Sequence, residues 1–245
     1  MPGIEILLLI LLVSSLPALV VFLWFRLCRY PFTFLQFVFS LLAGAASLFP
    51  ALFLQGFLAG KNIIPVTGRR GLFAGIFIRI ALTEELSRLI ALFVLLWLFS
   101  RFGSGANPFA PEGVAAGDDT NAAGTAAPAA AGMVAGFGFA ILENAVYAAS
   151  NPGNTILILR VFTAAPLHGA CGARVGVSVT MFGKKTAPAL FRFLTAVAIH
   201  GIYNFMLTVP GRLPSAAAVL IALSALASSV LTIRGWQPRK TPDSG

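Results

Sequence analysis

The stretch Arg79–Leu96 reads RIALTEELSRLIALFVLL and is apolar enough to cross a bilayer, yet it contains three internal charges. These are the neighbouring acids Glu84 and Glu85 and the cation Arg88. A charged side chain near the centre of a membrane helix costs about 2.5–3.5 kcal/mol on insertion scales, so such residues are rare and usually functional. The stretch therefore predicts a membrane helix with a functional polar face.

The composition of the whole chain agrees with a membrane location. Of its 245 residues, 58% are hydrophobic and only 10% are charged, whereas a soluble domain carries about 25% charged residues. Since a membrane helix needs about 20 apolar residues, we predict seven, at about 4–25, 34–59, 73–99, 131–149, 155–182, 188–208 and 214–233. The predicted fold is all-α, a single polytopic transmembrane helix bundle over residues 1–245.

The segments between the predicted helices carry most of the basic charge. The net charge of +9 fits Lys and Arg that flank and orient membrane helices, and we expect no nucleic-acid partner. An outer N-terminus would place most of these residues, and the C-terminus, in the cytoplasm. Residues 103–130 consist largely of Gly, Ala, Pro and acids that cannot bury a core, and they predict a flexible loop.

Polar side chains are concentrated in the third to sixth predicted helices. All acids and histidines at membrane depth lie there, namely Glu84, Glu85, Glu143, His168 and His200. Arg88 lies one helical turn from both neighbouring acids. We therefore predict a four-helix polar core within residues 73–208.

Further polar and small residues accompany this core. Asn144 and Tyr147 follow Glu143 on its helix, and Asn204 lies one turn after His200. Small residues spaced four apart, Gly132 with Gly136 and Gly172 with Gly176, allow close helix approach in lipid. The fourth and fifth predicted helices are therefore expected to pack closely.

The chemistry that these groups permit is the activation of water. Two adjacent carboxylates in a medium of low dielectric constant do not both ionise easily, and Arg88 would keep one of them charged. The other becomes a base for water, and a histidine can share the proton. An Asn amide or a second imidazole can stabilise an oxyanion. The sequence contains no Gly-x-Ser-x-Gly motif, so a serine nucleophile is not indicated.

Four motifs in order resemble those of the PrsW family of intramembrane proteases: Glu84-Glu85-x-x-Arg88, Glu143-Asn144-x-x-Tyr147, His168 with Gly176, and His200 with Asn204. That family is related more distantly to the CAAX prenyl endopeptidases and bacteriocin-processing membrane proteases, and to the Aph-1 subunit of γ-secretase. The resemblance covers about residues 73–208. It departs from the family pattern at Arg88, where the first motif usually ends in Lys, although the cation is kept.

The resemblance implies a glutamate-dependent peptidase of the bacterial plasma membrane that cuts membrane-anchored proteins, such as an anti-sigma factor. Either Glu84 or Glu85 would activate water, with Glu84 favoured, and His168 would assist. His200 and Asn204 would bind the water or the oxyanion. Glu143 would orient a histidine, and the remaining motif residues would support the site.

Two further questions stay open at the level of sequence. We expect no metal cofactor, because the His-Glu-x-x-His motif is absent; if Zn²⁺ bound, its ligands would be Glu84, Glu143, His168 and His200. A non-catalytic scaffold similar to Aph-1, or a proton- or cation-coupled transporter, would also place such residues in a membrane. Against transport, the hydropathy shows no inverted repeat.

Overall fold

The computed structural model describes residues 4–61, 68–102, 122–150 and 156–234. The elements in these ranges are α1 (Ile4–Leu27), α2 (Phe34–Ala46), α3 (Leu48–Gly60), α4 (Gly68–Ala74), a π-helical segment (Gly75–Leu82), α5 (Thr83–Phe102), α6 (Ala122–Ser150), α7 (Ile156–Met181), α8 (Thr186–Thr208) and α9 (Arg212–Arg234). Because α2 and α3 adjoin, and α4, the π-helical segment and α5 are continuous, the described chain forms seven helical runs. The predicted all-α polytopic bundle is confirmed.

Five helical runs are long and apolar enough to span a membrane by length and composition: Leu8–Leu27, Phe34–Gly60, Thr125–Ser150, Thr186–Thr208 and Arg212–Arg234. The other two long helices, α5 and α7, carry the charged side chains described below. Large apolar side chains cover the outside of the bundle, as at Leu12 and Leu220, both 65% exposed. Such a surface is suited to lipid contact, and the protein is an integral membrane protein.

Helix α6 lies at the centre of the bundle. In the most apolar stretch of α6, 83% of the residues are buried, compared with 22–33% in the corresponding stretches of the other four candidate spans. The helix begins at Ala122 rather than near 131, so the predicted loop is wrong for residues 122–130; residues 103–121 lie outside the described ranges. The small side chains of this segment fill narrow space between neighbouring helices, with Ala126 and Ala130 fully buried.

Helices α6 and α7 touch through their backbones, as the spacing of small residues predicts. A Cβ atom on Gly136 would overlap the carbonyl oxygen of His168, and one on Gly132 would overlap that of Gly172. Helix α2 approaches the other side of α6 in the same way, since a Cβ atom on Gly138 would overlap the Leu41 carbonyl oxygen. These contacts fix the position of His168 relative to α6.

Two predicted helices are less regular than expected. The second is divided at Ser47, whose hydroxyl donates to the Gly44 carbonyl oxygen at 2.6 Å, and Pro50 supplies no backbone N–H in the first turn of α3. The third contains the π-helical segment directly before its acidic pair. There the Thr83 hydroxyl lies 2.6 Å from the Arg79 carbonyl oxygen and 3.0 Å from that of Ile80. π-Helical turns are rare and are frequent at functional sites.

Candidate active site

Glu85 on α5 stands at the middle of a buried hydrogen-bonded network. Arg88 Nη1 donates to its Oε2 atom, and His200 Nδ1 on α8 lies 2.8 Å from its Oε1 atom. The Glu85 and Arg88 side chains are fully buried. An isolated buried carboxylate would have no compensating charge. Here the guanidinium compensates the charge of Glu85 in a region from which water is excluded.

His168 on α7 connects Arg88 to Glu143 on α6. Its Nδ1 atom lies 3.3 Å from Arg88 Nη2, and its Nε2 atom lies 3.0 Å from Glu143 Oε2. Because a guanidinium only donates, Nδ1 must accept, and the ring hydrogen of a neutral imidazole is then on Nε2 and donates to Glu143. The imidazole is buried, 2% exposed, and faces the interior of the bundle.

Glu143 is paired with a second guanidinium at the outer end of the network. Arg160 Nη2 donates to Glu143 Oε2 at 2.6 Å, and Arg160 Nε donates to Asn144 Oδ1 at 3.0 Å. The Arg160 guanidinium also lies 4.5 Å from the ring centre of Tyr147, a cation–π distance. Asn144 Nδ2 donates to Ser14 on α1 at 3.2 Å. This end of the site is a second compensated ion pair.

Glu84 differs from the other two acids because no guanidinium of the described residues pairs with it. Gln55 Nε2 on α3 donates to its Oε1 atom at 3.0 Å. Its Oε2 atom is buried without a hydrogen bond to any described residue and lies 3.6 Å from His200 Nε2. Since His200 Nδ1 donates to the Glu85 carboxylate, Nε2 of the neutral ring carries a lone pair. With this ring neutral and the Glu84 carboxyl group ionised, two hydrogen-bond acceptors face each other.

The structure brings together most of the side chains singled out by the sequence. Six lie in this network, namely Glu84, Glu85, Arg88, Glu143, His168 and His200, and Asn144 and Tyr147 lie at its outer end. His200, rather than His168, lies beside Glu84. The Asn204 side chain is half-buried and makes no hydrogen bond to another described residue. The roles assigned to all these residues stay predictions.

Three contributors were not anticipated. Arg160 lies within the fifth predicted helix, so the criterion that selected Glu84 and Arg88, charge at membrane depth, would have found it. Gln55 is a polar side chain near the end of an apolar segment, which is a weaker signal. Phe139 has its ring centre 4.6 Å from the Arg88 guanidinium and 5.0 Å from the His168 ring, and nothing in the sequence distinguishes it from other buried phenylalanines.

A divalent metal is compatible with the donor types at this site but not with their present hydrogen bonds. Glu84, His168 and His200 each offer one ligand atom within 4.8 Å of the other two, and one carboxylate with two imidazoles is a common Zn²⁺ set. However, both nitrogens of His168 are engaged, one by the Arg88 cation. Glu143, the other expected ligand, accepts from Arg160. As arranged, these residues do not fit a resident metal ion.

The fold and the site together define a polytopic membrane protein with a buried centre of acids and imidazoles. A family model described as PrsW family intramembrane metalloprotease matches residues 31–231, and the chain belongs to this family. The match includes every network side chain named above except Ser14. No curated protein and no solved structure matches the chain.

Proposed function

We propose that this protein is an intramembrane peptidase in which Glu84 activates the attacking water without a metal ion. Family membership supplies the reaction class, proteolysis in the membrane. The observation that carries the assignment is the 3.6 Å separation of Glu84 Oε2 and His200 Nε2, because both atoms are acceptors when the His200 ring is neutral and Glu84 is ionised. A water molecule between them would donate one hydrogen to each.

The reaction follows from these two acceptors. Glu84 takes a proton from the water while the water oxygen bonds to the peptide carbonyl carbon. The electron pair of the carbonyl double bond moves to the carbonyl oxygen, which becomes an oxyanion. The Glu84 proton then passes to the amide nitrogen as the C–N bond breaks. The products are a carboxylic acid and an amine, and the balance requires no further reactant. Arg88 Nε, a buried donor without an acceptor among the described residues, is available to the oxyanion.

The remaining acids position this centre. Glu85 holds the His200 ring so that Nε2 faces Glu84, and Arg88 compensates the Glu85 charge. Glu143 orients His168. A carboxylate that fixes the tautomer and orientation of an imidazole is a common device in enzyme sites.

The substrate that we propose is a membrane-anchored protein, with an anti-sigma factor as the example suggested by the resemblance, in a bacterial plasma membrane. Burial of the site among membrane helices supports a peptide bond within or beside the bilayer. The excess of Lys and Arg at one end of the bundle, including Lys184, Lys185 and Arg234, supports a cytoplasmic C-terminus.

The test is cleavage of a single-pass test substrate by the purified protein in liposomes. Glu84→Gln should lower the rate at least about 100-fold, the lower range for loss of a general base. Glu5→Gln, which removes an exposed acid from α1, should keep the wild-type rate. Persistent cleavage by folded Glu84→Gln would overturn the assignment. A folded wild-type protein that cleaves no substrate would favour the scaffold.

The same cleavage assay in the presence of a chelator tests whether the reaction needs a metal ion, independently of which residue is the base. We expect the wild-type rate to persist in excess chelator, because His168 already binds Arg88 and Glu143. Loss of the rate with recovery on adding Zn²⁺ would contradict the metal-free mechanism, whatever the outcome for Glu84→Gln.

A further inference from the structure

A basic pocket lies away from the acid network, where α7, α8 and α9 meet. Arg174 on α7 and Arg192 on α8 both line two cavities, of about 50 and 350 Å³. Ser228 and Thr232 of α9 line the smaller cavity, and Met181 and Phe191 line the larger one. The pocket therefore combines two cations and hydroxyl groups with an adjoining apolar wall.

The two arginines differ in how they are held. Arg174 is fixed to α9, with Nη1 3.0 Å from Ser229 Oγ and Nη2 3.3 Å from Ser228 Oγ. Arg192 is half-buried, and its guanidinium makes no hydrogen bond or ion pair with any residue in the described ranges. No carboxylate of those ranges lines either cavity. Two neighbouring cations without an acid repel each other, so an anion between them would be stabilised.

The position of the pocket along the helices indicates which anion it meets. Arg174 lies near the end of α7, Arg192 near the start of α8 and Ser228 near the end of α9. With a rise of about 1.5 Å per residue, all three lie roughly 10 Å inside the helix ends. At the same rise they lie roughly 8 Å from the helix midpoints, inside the hydrocarbon region. The larger cavity extends from them to Met181 at the end of α7, so it leads outward to the headgroup region, and Lys184, Lys185 and Arg234 belong to the same end of the bundle.

We propose that this pocket binds the phosphate of an anionic phospholipid headgroup between Arg174 and Arg192. Arginine pairs strongly with phosphate through several N–H donors, and basic pockets between membrane helices are known to hold such headgroups. Exposed Phe191 and half-buried Met181 provide the apolar wall for the glycerol and upper acyl chains. Inorganic phosphate offers the same anion without that apolar part.

Native mass spectrometry of the purified protein in detergent tests the proposal, with phosphatidylglycerol, phosphatidylcholine and inorganic phosphate as probes. We expect one phosphatidylglycerol per chain, at least about tenfold weaker phosphatidylcholine binding and no displacement by millimolar phosphate. Arg192→Gln should weaken phosphatidylglycerol binding at least about tenfold, because it removes one of the two cations. Arg101→Gln, which removes an exposed cation from α5, should leave binding unchanged.

Each remaining outcome would overturn the proposal. Equal phosphatidylglycerol binding by the wild type and Arg192→Gln would exclude the pocket, and equal binding of the two lipids would exclude selection of an anion. Displacement by inorganic phosphate would identify a phosphate site instead of a lipid site. Because Arg192 has no partner among the described residues, Arg192→Gln should fold, and helical circular dichroism verifies this. None of these results depends on the catalytic proposal.

Discussion

Glu84 and Glu85 are adjacent in the chain, but their carboxylates have different surroundings. Glu85 accepts hydrogen bonds from Arg88 and His200, whereas Glu84 accepts a hydrogen bond from the neutral amide of Gln55. Substitution of the two acids should therefore separate catalysis from stability.

Glu84→Gln should abolish cleavage and leave the protein folded, because it removes no guanidinium partner. Glu85→Gln should also destabilise the protein by about 3–5 kcal/mol, since it leaves Arg88 buried without its counter-charge. Denaturant unfolding of both variants measures the difference. The double variant Glu85→Gln with Arg88→Met should recover part of the stability but no activity. Equal stability of the two single variants would contradict this account.

Arg160 should act on activity through Glu143 and His168. Arg160→Gln removes the charge that compensates Glu143, so His168 loses part of its orienting contact. We expect the cleavage rate to fall about tenfold, the lower range for residues that orient a functional imidazole. Arg101→Gln provides a control at an exposed arginine. A wild-type rate for Arg160→Gln would show that the outer ion pair does not affect catalysis.

The choice between the two acids was the part of the site that the sequence left open. Adjacency and helical spacing put Arg88 within reach of both Glu84 and Glu85, and only the arrangement of the neighbouring helices determines which one it meets. The same holds for the histidines: sequence order gave no reason for His200 rather than His168 to face Glu84. The selection of these residues as a group could be predicted, because charge at membrane depth is expensive.

At the level of helices, the contact between α6 and α7 should control the position of His168. Gly136→Ala would force the new Cβ atom against the His168 carbonyl oxygen, and the helices must move apart to relieve it. We expect lower cleavage and lower thermal stability. Gly56→Ala, at a helical glycine with no atom within 4 Å of the new Cβ, should be neutral. Wild-type behaviour of Gly136→Ala would show that α7 can shift without cost.

Hydropathy predicted the number and order of the helices, but not their details. The start of α6 was missed because Gly, Ala and Pro are typical of loops in water, whereas in a bundle small side chains let backbones meet. The division at Ser47 and the π-helical segment before Thr83 arise from local hydrogen bonding. The lengths of the apolar segments in the sequence predict neither the division nor the π-helical segment.

For the whole molecule, the two cysteines offer a direct test of the proposed orientation. Cys28 at the end of α1 is exposed and Cys171 is buried, so a membrane-impermeant maleimide should react with Cys28 alone. If the C-terminus is cytoplasmic and each of the seven helical runs crosses the membrane, Cys28 lies in the cytoplasm as well. Labelling should then require permeabilised cells, and Cys28→Ser should remain unlabelled in both conditions. Labelling of Cys28 in intact cells would reverse the orientation.

The backbone contact between α6 and α7 has a consequence for attempts to redesign this protein. Positions 132, 136, 172 and 176 have no room for a side chain, so these four positions beside His168 accept only glycine. The opposite half of the centre receives Gln55 from the divided α2–α3 segment through a single side-chain contact to Glu84. A Cβ atom on Gly44 of α2 would overlap the Ala135 carbonyl oxygen of α6. Libraries intended to alter substrate preference should therefore diversify α3 and leave Gly44 and the glycine positions of α6 and α7 unchanged.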